Sequence, residues 1–220
     1  MLTQVYEVSS PPEADAVSSL GVDHVGVLVG NGIFPRERSM REATAILSAI
    51  RTPSKSLALF LSADLALIER TARELRPAII HLGASTELLW PKHVIDLRKA
   101  LPNVLLMRSV PVTGPESIAI AKSYDGIVDF LLLDSHRAGD TQIGALGVTH
   151  DWNISRSIVE NVQTPVILAG GLGPDNVADA IVAVRPAGVD SKTQTDLGST
   201  HTKDLAKVAA FNKAAKGVIC

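Results

Sequence analysis

Strand-like and helix-like patterns alternate along this chain, and the alternation limits the folds open to it. Short apolar runs rich in Val, Leu and Ile are each followed by a helical pattern, and eight such pairs fit into the 220 residues. Clear strand-like runs are HVGVLVG at 24–30, SLALFLS at 56–62, AIIHL at 78–82 and DFLLLD at 129–134. No hairpin signal separates them, which leaves an open doubly wound sheet or a closed (β/α)8 barrel.

The barrel is the better of these two designs. A dinucleotide-binding open sheet would carry G-x-G-x-x-G after its first strand, and this chain does not. The predicted fold class is therefore α/β, with a single (β/α)8 TIM barrel domain over residues 1–220. Three predicted boundaries bear on the site: a first strand at 5–8, a fifth strand at 103–107, and a helix at 86–100 that Pro91 interrupts.

Composition narrows the function classes. Apolar residues make up 46% of the chain and aromatic residues 4%, which suits a core of Val, Ile, Leu and Ala between parallel strands and helices. The net charge of −2 argues against a nucleic-acid partner. The single cysteine, Cys220, permits no disulfide, and its terminal thiol is expected to be inert. Neither a membrane span nor a signal peptide is recognisable, so we expect a cytoplasmic protein with no membrane partner.

An anion site is predicted where the last two strand-like runs end. One run leads into Gly170 and Gly171, whose backbone N–H groups can approach a ligand closely because no side chain intervenes. The helix that starts at 174–176 adds unpaired donors and a positive dipole end. Barrels of this class bind phosphate after strands seven and eight. The predicted phosphate-binding residues are Gly170, Gly171, Ser191, Lys192 and Thr193.

Polar side chains at other strand ends are candidates for chemistry, because the carboxyl ends of barrel strands form the active-site face. Asp134 ends the sixth strand and Asp190 the eighth, while His81 and Arg108 end the fourth and fifth. Asp134 could instead cap a helix, and His81 or Arg108 could hydrogen-bond to backbone alone. The loop histidines His136 and His150 match no metal-ligand spacing, so neither a metal nor a cofactor is predicted.

Several longer segments resemble sequence motifs of one protein family. The strongest is LAGGLGPDNVADAIVAVRPAGVD at 168–190, and LLLDS at 131–135 is followed at a distance by Asp151-Trp152. Weaker segments are GVDHVGVLV at 21–29 and IIHLGA at 79–84. Together they resemble the phosphoribosylanthranilate isomerase family, tryptophan-biosynthesis barrels that perform an Amadori rearrangement on a phosphorylated ribosylamine. The resemblance covers most of the chain, but only its last third is specific.

The resemblance implies a phosphorylated small-molecule substrate, no cofactor, and a monomer or homodimer. It makes Asp134 the general acid on the ring oxygen, and Asp190 the aspartate that holds sugar hydroxyls. It makes Arg36 the substrate-binding arginine after the second strand, although Arg36 could equally be a solvated loop charge beside Arg38. The strand-end residues His81 and Arg108 are further candidates for substrate binding.

One family feature is missing. Members carry Lys-x-Cys-Gly on the first strand, and that cysteine is the general base, whereas this chain has Gln4-Val5-Tyr6-Glu7-Val8. The position falls on Tyr6 or Glu7, and strand alternation predicts that only one of them faces the site. Glu7 is chemically competent as a base, while a neutral phenol is a poor one at pH 7. The catalytic pair is therefore predicted as Asp134 and Glu7.

Three function classes remain open at this point. The first is a phosphosugar isomerase of this family, acting on the usual substrate or a related one. The second is a non-catalytic barrel that keeps the phosphate site. The third is a different phosphate-binding barrel enzyme, an epimerase or a lyase, although the sixth strand lacks the lysine that a Schiff-base lyase needs.

Overall fold

The computed structural model describes residues 1–137, 139–144 and 146–218. Its eight parallel strands form a closed barrel, in which each strand pairs with its neighbours in sequence and the last pairs with the first. The strands are β1 Leu2–Val5, β2 His24–Leu28, β3 Lys55–Phe60, β4 Ile79–Leu82, β5 Leu105–Pro111, β6 Phe130–Asp134, β7 Val166–Leu168 and β8 Gly188–Ser191. The predicted (β/α)8 barrel is confirmed. Cys220 lies outside the described residues.

An α-helix follows each strand. The helices are α1 Pro11–Ser19, α2 Met40–Ser48, α3 Leu65–Leu75, α4 Pro91–Ala100, α5 Glu116–Tyr124, α6 Trp152–Asn161, α7 Val177–Val184 and α8 Leu205–Gly217. A short 3-10 helix, Thr193–Thr195, lies between β8 and α8. None of the helices in the described part of the chain is long and apolar enough to cross a membrane.

The helices begin where the sequence supplies a cap. Ser39 and Glu42 form a reciprocal capping box at α2, which satisfies two backbone N–H groups that the helix leaves unpaired. The carboxylates of Asp64 and Asp151 accept hydrogen bonds from the first turns of α3 and α6. Pro91 occupies the first turn of α4, where its missing N–H costs nothing. It therefore starts this helix instead of interrupting a longer one, which corrects the predicted boundary.

The strands bury both of their faces. Alternate side chains point into the barrel or outward beneath the helices. A small cluster that includes Leu57, Ile79, Met107, Leu132 and Ile167 fills the barrel interior. The larger cluster packs the outward faces of the strands against the helices. Whether a polar strand residue points inward or outward therefore decides whether its side chain can reach the mouth of the barrel.

Two predicted strand boundaries were wrong, and both matter for the site. β1 ends at Val5, so Tyr6 and Glu7 lie beyond its last residue and are released from strict alternation. β5 extends to Pro111, so Arg108 lies inside this strand and not at its end. Short valine-rich runs carry little information about where pairing stops, because pairing depends on the neighbouring strands.

Candidate active site

A cavity of about 210 Å³ opens at the carboxyl ends of the strands, and we call it the mouth cavity. One side is apolar, with Phe34, Leu59, Leu61 and Ile143 among its lining residues. The polar side chains that line it include Tyr6, Glu7, Arg36, His81, Asp134 and Asp190. The cavity therefore joins an apolar wall to several ionisable groups, as sites for small organic ligands commonly do.

Two aspartates from different strands face the mouth cavity. Asp134 is the last residue of β6, and its Oδ1 accepts a hydrogen bond of 2.8 Å from the Ser135 N–H. Asp190 lies in β8, with 7% of its surface exposed. Burial, and then the negative charge of Asp134, raise the pKa of Asp190 to about 8. Within the described residues, the buried Asp190 Oδ1 has no hydrogen-bond partner.

Glu7 and Arg36 form an ion pair at the rim of this cavity. The Arg36 Nε donates to one Glu7 oxygen at 2.8 Å, and an Arg36 Nη donates to the other at 3.3 Å. This bidentate pair raises the pKa of Arg36 and orients its guanidinium group. The structure thus brings the predicted substrate-binding Arg36 to the site. It also occupies both oxygens of Glu7, the residue predicted as base.

Tyr6 faces the site as well, so the prediction that Tyr6 and Glu7 exclude each other was wrong. Both residues follow the end of β1, and both line the mouth cavity. Tyr6 is 4% exposed, and its ring lies against Gly26 of β2. A Cβ atom at position 26 would lie 2.1 Å from the Tyr6 ring, so only glycine fits there.

A hydrogen-bond chain runs through the barrel interior from Tyr6. The Tyr6 hydroxyl lies 2.7 Å from His81 Nδ1, and His81 Nε2 lies 2.7 Å from the Ser109 hydroxyl. Burial, and then the charge of Arg108, lower the pKa of His81 to about 3, while burial raises that of Tyr6 well above its usual value. Both side chains are therefore neutral. Two hydrogen bonds thus join the Tyr6 hydroxyl, the His81 ring and the Ser109 hydroxyl, and the His81 tautomer sets which group donates in each.

Ser109 had not been singled out in the sequence. It lies two residues after Met107, whose side chain packs in the barrel interior. Strand alternation directs Ser109 to the same side, so a correct fifth-strand boundary would have identified it.

Arg108 does not reach the mouth cavity, which corrects its predicted role in substrate binding. Its side chain is fully buried and donates to the carbonyl oxygens of Leu82 and Ala84, each at 2.7 Å. The guanidinium group also lies over the Tyr124 ring, 5.1 Å from its centre. Because Arg108 lies inside β5, alternation directs it outward, where it ties the β4 end to the helix layer.

The two predicted phosphate-site glycines line a second, smaller cavity, which we call the glycine cleft. Its other lining residues include Gly147, Leu172, Lys192, Thr193 and Gln194, and it meets the mouth cavity at Asp134 and Asp190. Gly170 and Gly171 have φ angles of 86° and 62°, in the region that favours glycine. The predicted residues Gly170, Gly171, Lys192 and Thr193 are thus brought together.

Residues 147–149 lie across this cleft. A Cβ atom on Gly171 would lie 2.9 Å from the Val148 carbonyl carbon and 3.0 Å from the Thr149 nitrogen. The remaining volume of about 30 Å³ is far smaller than the mouth cavity. It has room for about one or two water molecules. The described conformation therefore places the chain's own backbone where the predicted anion would lie.

Ser191 does not line either of these cavities, which corrects its predicted contact with phosphate. Its side chain is 1% exposed, and its hydroxyl donates to the Leu172 carbonyl oxygen at 2.7 Å. Asp190 points into the barrel, so alternation directs the next residue outward. Ser191 instead fastens the loop after β7 to the end of β8.

Behind Lys192 lies a buried ion-pair group that sequence reasoning missed. Lys203 is fully buried at its side chain and donates to Asp196 Oδ1 at 2.6 Å and to the Lys192 carbonyl oxygen at 3.0 Å. The Lys192 ammonium lies 3.2 Å from the other Asp196 oxygen. These contacts hold the loop after β8 in place. The polar segment 191–196 signalled a loop, but not that its charges pair internally.

The loop histidines do not form a metal site. Among the described residues, no group of three or more His, Cys, Asp or Glu side chains is arranged to hold a metal ion. His150 Nε2 lies 2.8 Å from the Ser155 hydroxyl, and burial lowers the pKa of His150 to about 4. His136 instead lies 3.2 Å from the Gln142 carbonyl oxygen.

Comparison with known proteins gives a consistent result. Residues 8–214 match the family model described as N-(5'-phosphoribosyl)anthranilate (PRA) isomerase. The enzyme of that name from Methanocella arvoryzae is 34% identical over 208 residues, 94% of each chain. The enzyme from Natronomonas pharaonis is 34% identical over 220 residues, 97% of each chain.

Solved structures of enzymes of the same name share the fold. The phosphoribosylanthranilate isomerase from Thermotoga maritima superposes with a TM-score of 0.80 at 23% identity, covering 99% of this chain and all of the other. A further phosphoribosylanthranilate isomerase was solved in complex with reduced 1-(o-carboxyphenylamino)-1-deoxyribulose 5-phosphate. It gives a TM-score of 0.78 at 22% identity, with the same coverage.

Proposed function

This chain belongs to the N-(5'-phosphoribosyl)anthranilate isomerase family, and we propose that it catalyses that isomerisation in tryptophan biosynthesis. The substrate is an aldose-type ribosylamine, and the product is the ketose 1-(o-carboxyphenylamino)-1-deoxyribulose 5-phosphate. The observation that carries the proposal is the pair of aspartates, Asp134 and Asp190, which face one cavity at the mouth of a (β/α)8 barrel.

Asp134 is proposed as the general acid. Opening the ribose ring requires a proton on the ring oxygen as the bond from C1 breaks, while the lone pair of the anthranilate nitrogen forms a C1=N bond. Asp134 ends β6 at the junction of the mouth cavity and the glycine cleft. A sugar whose phosphate lies in the cleft would hold its ring beside this carboxyl group.

The two ends of the substrate match the two sides of the site. We assign the phosphate to Gly170, Gly171, Lys192 and Thr193, which line the glycine cleft together. We assign the anthranilate carboxylate to Arg36, whose guanidinium group is oriented by Glu7 at the cavity rim. The apolar wall with Phe34 and Leu59 suits the aromatic ring. We assign His81, which lines the same cavity, a supporting role through its hydrogen bond to Tyr6.

The proposed steps are proton transfers between the substrate and two carboxyl groups, so the proposal invokes no cofactor. A phosphorylated small molecule is the only partner the proposal requires, with the chain acting as a monomer or a homodimer. The substrate carries a phosphate and a carboxylate and would not cross a membrane freely, so we infer that the enzyme works in the cytoplasm.

The test is a fluorescence assay of phosphoribosylanthranilate consumption by the purified protein. We expect turnover by the wild type and a fall in kcat of about 10² to 10⁴ for Asp134→Asn, which keeps the shape but removes the transferable proton. The reduced product analogue should still raise the melting temperature of this variant. A wild type that binds the analogue without turning over substrate would mark a non-catalytic binding barrel, and one that does neither would contradict the substrate assignment.

A further inference from the structure

The isomerisation needs a base, and the two first-strand candidates are both engaged. Tyr6 is a neutral phenol whose hydroxyl group is hydrogen-bonded to His81. Both carboxylate oxygens of Glu7 accept hydrogen bonds from Arg36. A carboxylate held in a bidentate arginine pair is a poor proton acceptor, since protonation would break that pair. The base must therefore be sought on another element of the mouth cavity.

Asp190 lies on the strand that adjoins β1, two residues before Tyr6 in the pairing register. β8 pairs with β1 in parallel, with Gln4 opposite Asp190 and Val5 opposite Ser191. The Tyr6 N–H donates to the Ser191 carbonyl oxygen at 3.1 Å, which continues this register beyond the end of β1. The Asp190 side chain points into the barrel between Gln4 and the mouth cavity. Tyr6 and Glu7, the two residues at the vacated position, line the same cavity, so Asp190 reaches the space beside that position.

We propose that Asp190 is the base that removes the proton from C2 of the sugar, an inference that rests on the proposed isomerase function. Asp134 first gives its proton to the ring oxygen, the C1–O bond breaks, and the nitrogen lone pair forms C1=N. Asp190 then takes the C2 proton, the C–H electron pair forms C1=C2, and the C=N pair returns to nitrogen. Asp190 returns its proton to C1 as the C2 hydroxyl gives its proton to Asp134. Both residues regain their starting forms.

The surroundings of Asp190 suit this role. Its Oδ1 is buried and lacks a hydrogen-bond partner among the described residues, so a lone pair remains available for a carbon-bound proton. Burial, and the charge of Asp134 when that carboxyl group is ionised, raise its pKa to about 8. The reactive form is the singly protonated pair with the proton on Asp134, in which the buried Asp190 carboxylate is a stronger base than an ordinary one. Lys203 also acts on it, lowering the pKa by a smaller amount, and Glu7 raises it.

The experiment compares kcat and the primary isotope effect on substrate deuterated at C2 of the sugar. For Asp190→Asn we expect a fall in kcat of about 10² to 10⁴, a KM within a few-fold of wild type, and a larger isotope effect, because breaking the C–H bond becomes limiting. Asp190→Glu restores a carboxylate and should recover part of the lost rate. Asp134→Asn should instead lower the isotope effect towards one, because ring opening becomes limiting.

Two further variants serve as comparisons. Glu7→Gln should raise KM through loss of Arg36 orientation while leaving the isotope effect unchanged. Asp96→Asn, at an exposed carboxylate on α4, should leave both parameters unchanged. Binding of the reduced product analogue to Asp190→Asn checks that the site is intact.

Several results would overturn the assignment. They are a kcat of Asp190→Asn within a few-fold of wild type, an isotope effect in that variant near one, or a C–H-limited loss of rate in Glu7→Gln. An inactive wild type would refute the isomerase function itself and the Asp190 role with it. An active wild type together with an active Asp190→Asn would refute the Asp190 role alone.

Discussion

Replacing Asp190 with asparagine should stabilise the folded protein, and more so as the pH rises. Asparagine keeps the shape of the side chain but carries no charge. In the wild type, burial and the nearby Asp134 carboxylate raise the pKa of Asp190 from 3.8 to about 8. The unfolded chain restores the ordinary value, so the folded state binds the proton more tightly. Ionisation of Asp190 therefore opposes folding.

The size of the effect follows from this difference in pKa. Below pH 3.8 both states are protonated and the residue has no cost. As the pH rises from there to about 8, the unfolded state loses its proton first and folding stability falls, after which the cost is constant. Each pKa unit corresponds to about 1.4 kcal/mol, so the full penalty is about 5 to 6 kcal/mol and about 1.6 kcal/mol is already present at pH 5. The variant should thus gain about 4 kcal/mol relative to wild type between pH 5 and pH 8.5.

Urea unfolding at pH 5, 7 and 8.5 measures this gain directly. The difference in free energy of unfolding between Asp190→Asn and wild type should grow across the series, and Asp96→Asn, an exposed carboxylate on α4, should show no such growth. A constant difference across the series, or one that shrinks as the pH rises, would refute the argument that Asp190 is buried as described. If Asp190→Asn has a higher free energy of unfolding and a lower kcat than wild type, Asp190 serves catalysis at a cost to folding stability.

Three other expectations can be checked with single variants. kcat/KM should fall as the pH rises through about 8, because loss of the second proton from the Asp134 and Asp190 pair leaves no acid for ring opening, and this descending limb should move in Asp190→Asn; a rate that still rises above pH 8 would contradict it. Arg108→Leu should cost about 3 to 5 kcal/mol of unfolding free energy, because the carbonyl oxygens of Leu82 and Ala84 lose their donor, while KM of the folded fraction stays unchanged; a raised KM would return Arg108 to the site. Tyr6→Phe should cost about 1 to 3 kcal/mol in a urea titration because buried His81 loses a hydrogen-bond partner, and an unchanged midpoint would argue against the hydrogen bond between Tyr6 and His81.

Much of the fold was predictable because the patterns that encode it are local. Each strand-like run and its following helix can be read within about twenty residues, and eight repeats of one unit close into a barrel. The position of Asp134 followed from the same local reading, since an apolar run that ends in a carboxylate places it at the active-site face. Asp190 followed in the same way from the run before it.

The helix boundary at Pro91 was a local error, whereas the errors in the site concern contacts between segments that are distant in sequence. The side on which Arg108 lies depends on where β5 ends, which is set by pairing with β4 and β6. Ser191 and Leu172 meet only because β7 and β8 are neighbours. Residues 147–149 reach Gly171 across the barrel face. Contacts between such distant segments produce no periodic pattern in the sequence.

If phosphate binds in the glycine cleft as proposed, the position of residues 147–149 also sets how tightly it can bind. These residues and the phosphate compete for the space at Gly171, and the segment is tethered and always present. Only molecules in which it has moved away can accept the ligand, so the observed dissociation constant equals the intrinsic one divided by the fraction of open molecules. An open fraction of about one in a hundred would weaken apparent binding about a hundredfold, or about 2.7 kcal/mol. Substitutions in this segment that favour the open form should therefore strengthen affinity without touching the ligand.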